Sequence, residues 1–143
     1  MDVKSLGRKL RVSLSALKRR AAPHLAAGRR GEEFACAHLR KEGYTILARN
    51  LRLGRGEVDI LAEEGEFLVF VEVKTRRKAG EYGALLNVTR GKRRQIAALA
   101  ERWRAENPSM RERPVRFDVV AVEGLDEAEP QITLIRHAFD AWR

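Results

Sequence analysis

Cysteine is almost missing from this sequence. Cys36 stands alone among 143 residues, which excludes an internal disulfide framework. Cys36 and three scattered histidines, His24, His38 and His137, make no zinc-binding spacing. No apolar run of about 18 residues occurs, so no membrane-spanning helix is expected. The first 28 residues carry charges where a signal peptide needs its apolar stretch. Acidic residues are scarce at one end: residues 1–30 hold nine basic side chains and a single acid, Asp2. The expectation is a cytoplasmic protein with no stable membrane insertion.

What is present suits one domain with a real core, since 44% of the residues are hydrophobic. The net charge is +9, and residues 1–30 alone carry +8 of it. The middle, Arg40 to Arg116, has 18 bases against 11 acids, whereas Asp118 to Arg143 has six acids against two bases. A basic arm followed by a basic middle suggests a polyanionic partner, most simply nucleic acid. A charge bias serving only solubility, or an anionic membrane surface, explains the same numbers. Leu6, Leu10, Leu14 and Leu17 recur at helical spacing, so the arm, residues 1–28, is expected to be partly helical or disordered, with Pro23 and Gly28 ending it.

Residues 29–143 read as one α/β domain. The pattern predicts a helix over Gly31 to Glu42, stopped by Gly43, and strands over Tyr44 to Leu51, Glu57 to Ala62 and Phe67 to Thr75. A loop from Arg77 to Asn87 leads to a long helix capped by Thr89 and ended at Asn107-Pro108. Strands over Val115 to Val122 and Gln131 to Ile135 follow, with a short closing helix bearing Phe139 and Trp142. The expected order is α-β-β-β-α-β-(β)-α.

The second and third strands form a hairpin that gathers acids. If Ala62 faces Phe67, Glu57 faces Glu72 and Asp59 faces Phe70, so Glu57, Asp59, Glu72 and Lys74 share one end of one face. Three carboxylates there repel one another, and burial beside Phe70 aggravates the repulsion. A divalent cation relieves both, and all-oxygen ligation suits Mg²⁺ or Mn²⁺. Lys74, two residues after Glu72, is placed to stabilise charge on a phosphate or to help activate a water. Asp59, Glu72 and Lys74 thus suit metal-dependent phosphodiester hydrolysis. A solvated strand end with Glu72–Lys74 ion pairing is the plainer alternative.

Two helices bear on the same site. Glu32 is a lone carboxylate within the apolar stripe of the first helix, which calls for a partner or a metal unless it sits exposed in the first turn. The second helix begins Arg90-Gly91-Lys92-Arg93-Arg94, against the helix dipole, as a docked phosphate would favour and a solvated charge run would tolerate. Lys92 lies on the helix side of Ile96, toward the acids. Trp103 and Cys36 read as core, and the histidines offer no catalytic pairing.

Five ordered motifs now stand out: Gly31-Glu32-x-x-Ala35; Gly43-Tyr44-x-Ile46-Leu47-x-Arg49-Asn50; Gly56-Glu57-Val58-Asp59; Phe70-Val71-Glu72-Val73-Lys74-Thr75-Arg76; and Arg116-Phe117-Asp118-Val119-Val120. Over about Arg29 to Trp142 they resemble the YraN-like bacterial proteins, an uncharacterised family. That family is similar to archaeal Holliday-junction resolvases and to restriction endonucleases of the PD-(D/E)xK type. The resemblance implies a restriction-endonuclease-like fold, a central mixed β-sheet flanked by helices. It implies Asp59 and Glu72 as metal ligands, the Val73 carbonyl as another, Glu32 as the helix glutamate that contributes to the metal and the catalysis directly or through water, and Lys74 as the catalytic lysine. Lys92 matches the family's lysine after the third strand's loop. Glu57 stands where the wider motif often has proline, and is expected beside the ligands rather than among them. Lys92, Arg76, Arg93 and Arg94 are the expected nucleic-acid contacts. The implied activity is a Mg²⁺- or Mn²⁺-dependent DNA endonuclease, with branched or structured DNA as substrate and a homodimer as the assembly that suits symmetric cutting. The rival is a non-catalytic nucleic-acid-binding module on a nuclease fold.

Overall fold

The structure, a computed structural model, describes residues 23–78 and 87–140. Its elements are α1 (Pro23–Lys41), β1 (Thr45–Leu53), β2 (Gly56–Glu64), β3 (Phe67–Arg76), α2 (Arg90–Glu106), a single 3₁₀ turn (Pro108–Met110), β4 (Val115–Glu123) and β5 (Gln131–Ile135). The five strands form one mixed sheet in the order β1-β2-β3-β4-β5. Every neighbouring pair is antiparallel except β3 and β4, which are parallel and joined through α2. Among the described residues no helix is long and apolar enough to cross a membrane.

The apolar run Leu68-Val69-Phe70-Val71 makes β3 a central strand buried on both faces. One layer of core lies under α2, where Leu61, Leu68, Phe70 and Phe117 meet Ile96, Leu99 and Trp103. The other lies under α1, where Ile60, Val69, Val71 and Val120 meet Ala35, Cys36 and Leu39. Cys36 is 1% exposed and Trp103 is equally buried, as core residues. Burial raises the Cys36 thiol pKa, so it is a poor nucleophile.

Two glycines set how closely the helices approach the sheet. At Gly31 a Cβ would collide with the Thr75 side chain, so α1 lies directly on β3. At Gly56 a Cβ would sit 3.0 Å from Leu99 Cβ and 3.1 Å from Gln95 O, so the start of β2 is pressed against α2.

Several expectations are corrected. Helix α1 begins at Pro23, not Gly31, and runs through Gly28. Proline lacks only an N–H that a first helical turn leaves unbonded, so Pro23 suits the start of this helix. The β2–β3 register is shifted by two residues: Glu64, not Ala62, faces Phe67. The tighter turn at Gly65, with φ 56°, accounts for the shift. An even slip returns each side chain to its original face, so the acids stay together. No helix follows β5 among the described residues. Phe139 instead stacks on Phe117 with centroids 5.2 Å apart, and this contact needs no helix. Trp142, most of the Arg77–Asn87 loop and most of the arm lie outside the described residues. The Gly43 stop (φ 96°), the Thr89 cap and the bounds of β5 agree with expectation.

Candidate active site

Strands β2 and β3 pair only from Ile60↔Val71 to Glu64↔Phe67. Both continue past that point, β2 back to Gly56 along β1 and β3 on to Arg76 along β4. The hairpin therefore forks at Asp59 and Glu72. Within the fork the Val73 N–H donates to Asp59 Oδ2 at 2.7 Å, a side chain standing in for a ladder carbonyl. The fork also breaks the expected alternation. Val58 and Leu61 belong to the core under α2, whereas Ile60 and Ala62 belong to the core under α1. Strand β2 rotates at Asp59, and this brings side chains from both sides of the sheet to one place.

From the α2 side come two lysines. Lys74 Nζ lies 3.9 Å from Glu72 Oε1, and Lys92 Nζ lies 3.9 Å from Glu72 Oε2. Lys92 Nζ also donates to the Glu57 carbonyl at 3.2 Å, a contact that the close approach at Gly56 permits. Only seven of the 29 basic residues are lysine, yet both cations flanking Glu72 are lysines. A compact ammonium concentrates its charge where a planar guanidinium spreads it. Glu57 points its carboxylate to Arg52 instead, at 3.4 Å.

From the α1 side comes Glu32. It lies in mid-helix, not in the first turn, with its side chain 12% exposed. It accepts from Asn50 Nδ2 at 3.1 Å and sits 3.9 Å from Arg49 Nη2. The need for a partner, read from the apolar stripe, is met by β1. The sequence reading assigned Asn50 no role, although an asparagine in a strand is a signal, since it fits left-handed backbone better than β-ladder.

The carboxylates are short of positive charge. Burial, the facing Glu72 and, less strongly, Glu32 push the Asp59 pKa up to about 8, against the Val73 N–H and Lys92, which lower it. Burial also raises Glu72, against the opposing pull of Lys92 and Lys74. Glu72 Oε2 is buried with no hydrogen-bond partner. Among the described residues no three His, Cys, Asp or Glu side chains converge as a ready metal-binding set. Asp59 and Glu72 are two carboxylates that could hold a divalent cation, with Glu32 close enough to raise the pKa of both, and Mg²⁺ commonly takes one or two carboxylates and keeps several waters. The buried, unbonded oxygen of Glu72 fits such an ion.

The arginines divide. Arg76 and Arg94 are exposed. Arg93 is half-buried, donating to the Val88 carbonyl at 2.9 Å and lying 5.4 Å over the Phe139 ring.

The profile of the uncharacterised protein family UPF0102 matches residues 31–122, which include Glu32, the fork and both lysines. The chain belongs to this family. It is the YraN-like family to which the motifs pointed. A UPF0102 protein of Rhodococcus opacus (strain B4) is 46% identical over 118 residues, covering 82% of this chain and 99% of that protein. One from Pseudomonas aeruginosa (strain LESB58) is 41% identical over 115 residues, covering 80% and 92%. One from Alkalilimnicola ehrlichii is 42% identical over 120 residues, covering 84% and 91%.

The raised carboxyl pKa values of this UPF0102 chain make its stability depend on pH. Folding holds a proton on Asp59 that the unfolded chain releases near pH 4. Stability from this group is thus full below that pH and is lost as pH rises toward about 8. Glu72 acts in the same direction. The metal-free protein is therefore expected to lose thermal stability between pH 5.5 and 8. Millimolar Mn²⁺ or Mg²⁺ is expected to restore it, by about 2.7 kcal/mol at a hundred times the dissociation constant. Thermal unfolding followed by circular dichroism, across pH and with or without the ion, checks both. A flat profile that no divalent ion moves is the contrary result.

Proposed function

We propose that this protein is a Mg²⁺- or Mn²⁺-dependent DNA endonuclease acting on branched or otherwise structured DNA. The observation that carries the reading is the forked hairpin, where two buried carboxylates with raised pKa values and two lysines meet at a buried oxygen without a hydrogen-bond partner. A surface salt-bridge cluster has no need to bury charge at this cost. The resemblance of the five motifs to PD-(D/E)xK nucleases supports the same chemistry.

Asp59, Glu72 and the Val73 carbonyl would hold the cation. When bound, it supplies Lewis-acid polarisation of the scissile phosphate and lowers the pKa of a coordinated water. Glu32 supports the site from α1. Lys74 places its ammonium where negative charge grows on the phosphoryl oxygens. Lys92 holds the Glu57 backbone and adds its charge beside Glu72. Arg76 and Arg94 contact flanking phosphates from the exposed rim, which positions the nucleic acid without reading its sequence. Arg93 serves chiefly to pin α2 against Phe139.

The test is cleavage of four-way junctions, flaps, single strands and plain duplex with Mg²⁺ or Mn²⁺, for wild type beside Asp59→Ala and Lys74→Ala. Loss of cleavage in both variants supports the reading. Salt-dependent binding without cleavage, unchanged in the variants, instead establishes a binding module.

A further inference from the structure

Asn50 is conspicuous on four counts. Its φ is 52°, in the left-handed region, inside a strand. It is 8% exposed, so it is a buried polar residue. Its Nδ2 donates to Glu32 Oε2. Its Oδ1 is buried and accepts no hydrogen bond among the described residues. Such backbone is strained, and an unmet buried acceptor adds a desolvation cost. Strained, unsatisfied residues of this kind gather at sites completed by something else.

Its position says what that is. Arg49 pairs with Ile60 and Leu51 pairs with Val58, so Asn50 lies between these pairs, across from Asp59. The β2–β3 register, carried one step past Ile60↔Val71, sets Asp59 across from Glu72. Asn50, Asp59 and Glu72 thus form one row over three adjacent strands, with Glu32 tied to its first member. The acids alone make no three-ligand set among the described residues. An amide oxygen is a hard, neutral donor that adds no repulsion to two carboxylates already crowded together.

We propose that Asn50 is a further residue of the cation site: its Nδ2 fixes Glu32, and its Oδ1 accepts a hydrogen bond from a water held by the divalent cation. This rests on the metal-dependent reading above. Asn50 acts on the ion through that water and is a positioning residue. Outer contacts of this type set ion affinity by about 10–100-fold when removed.

The test measures Mn²⁺ binding by titration calorimetry on the full chain, without nucleic acid. Asn50→Gly keeps the left-handed backbone at no steric cost and removes only the side chain. It is expected to fold and to bind Mn²⁺ at least tenfold more weakly. Asn50→Asp also tolerates this backbone and keeps an acceptor oxygen while losing the N–H donors. It is expected to bind Mn²⁺ at least as tightly as wild type. Binding by Asn50→Gly within threefold of wild type overturns the assignment. So does a loss in Asn50→Asp equal to that in Asn50→Gly, which would leave the tether to Glu32 as the whole role. Absence of Mn²⁺ binding by wild type itself overturns the cation site, and with it the nuclease reading. The two failures are therefore told apart by the wild-type titration.

Discussion

Asp59→Asn is expected to abolish cleavage while making the metal-free protein more stable. The two effects have one cause. Asp59 faces Glu72 in a buried fork with too little positive charge, so its carboxylate is costly in the folded state. Asparagine has nearly the same shape, and its amide oxygen can still accept from Val73 N–H. It carries no charge to repel Glu72. The thermal midpoint of Asp59→Asn at pH 8, without divalent ions, is expected to exceed that of wild type, and its decline from pH 5.5 to 8 to be shallower. The same change removes a charged oxygen from the cation, so cleavage should fall by at least ~10²-fold, in the range seen when one electrostatic contributor is deleted. Greater stability bought with lost activity marks a site selected for chemistry. A variant that is less stable at every pH, with cleavage intact, would show Asp59 to be structural.

At the other end of the hairpin the expectation is reversed. Arg116→Met is expected to destabilise the protein by about 3–5 kcal/mol, or roughly 10–20 °C in thermal midpoint, leaving the fork chemically unchanged. Asp118 is fully buried. Arg116 donates to both its oxygens at 2.9 Å, while Tyr44 Oη donates to Oδ2 at 2.6 Å and the His137 N–H to Oδ1 at 2.9 Å. The same guanidinium reaches Glu64 Oε1 at 2.6 Å and lies 5.0 Å over the Phe67 ring. Arg136 holds Glu64 from outside, and with Arg116 it draws the Glu64 pKa down to about 2. Strands β2, β3 and β4, and Tyr44 just before β1, are thus joined through one cation. Methionine fills the stem's volume but leaves Asp118 buried and without its counter-charge. Pairing Arg116→Met with Asp118→Leu should recover much of the loss, because a well-packed apolar pair often matches a buried ion pair. Chemical denaturation of the two variants and wild type measures this. A loss below about 1 kcal/mol for Arg116→Met would mean that water reaches Asp118.

Most of the fold was legible because local signals agreed with one another. Thr89 capped α2, Gly43 stopped α1, and the apolar run of β3 required cover on both faces. For the candidate site, the grouping of its residues was legible and its shape was not. Alternation placed Asp59, Glu72 and Lys74 together, and a two-residue error in register left that conclusion intact because side-chain direction repeats every two residues. The fork itself was not legible. Strict alternation put Val58 beside Ile60, and only three-dimensional pairing to β1 on one side and β4 on the other pulls the strands apart. Asn50 was hidden for the same reason, since its partner Glu32 is 18 residues away on another element. Helix α1 was misjudged at its start because Pro23 carries opposite meanings before and within a first turn.

The Val73 amide ties these threads to an observable. This β3 amide answers to a carboxylate at 2.7 Å. Its proton is therefore sensitive to the charge on Asp59, moving downfield when the carboxylate is ionised and back when that charge is neutralised. In a ¹⁵N-labelled sample, one cross-peak would follow protonation of the fork and its loading with diamagnetic Mg²⁺, and the backbone would report on the chemistry without a probe placed inside it.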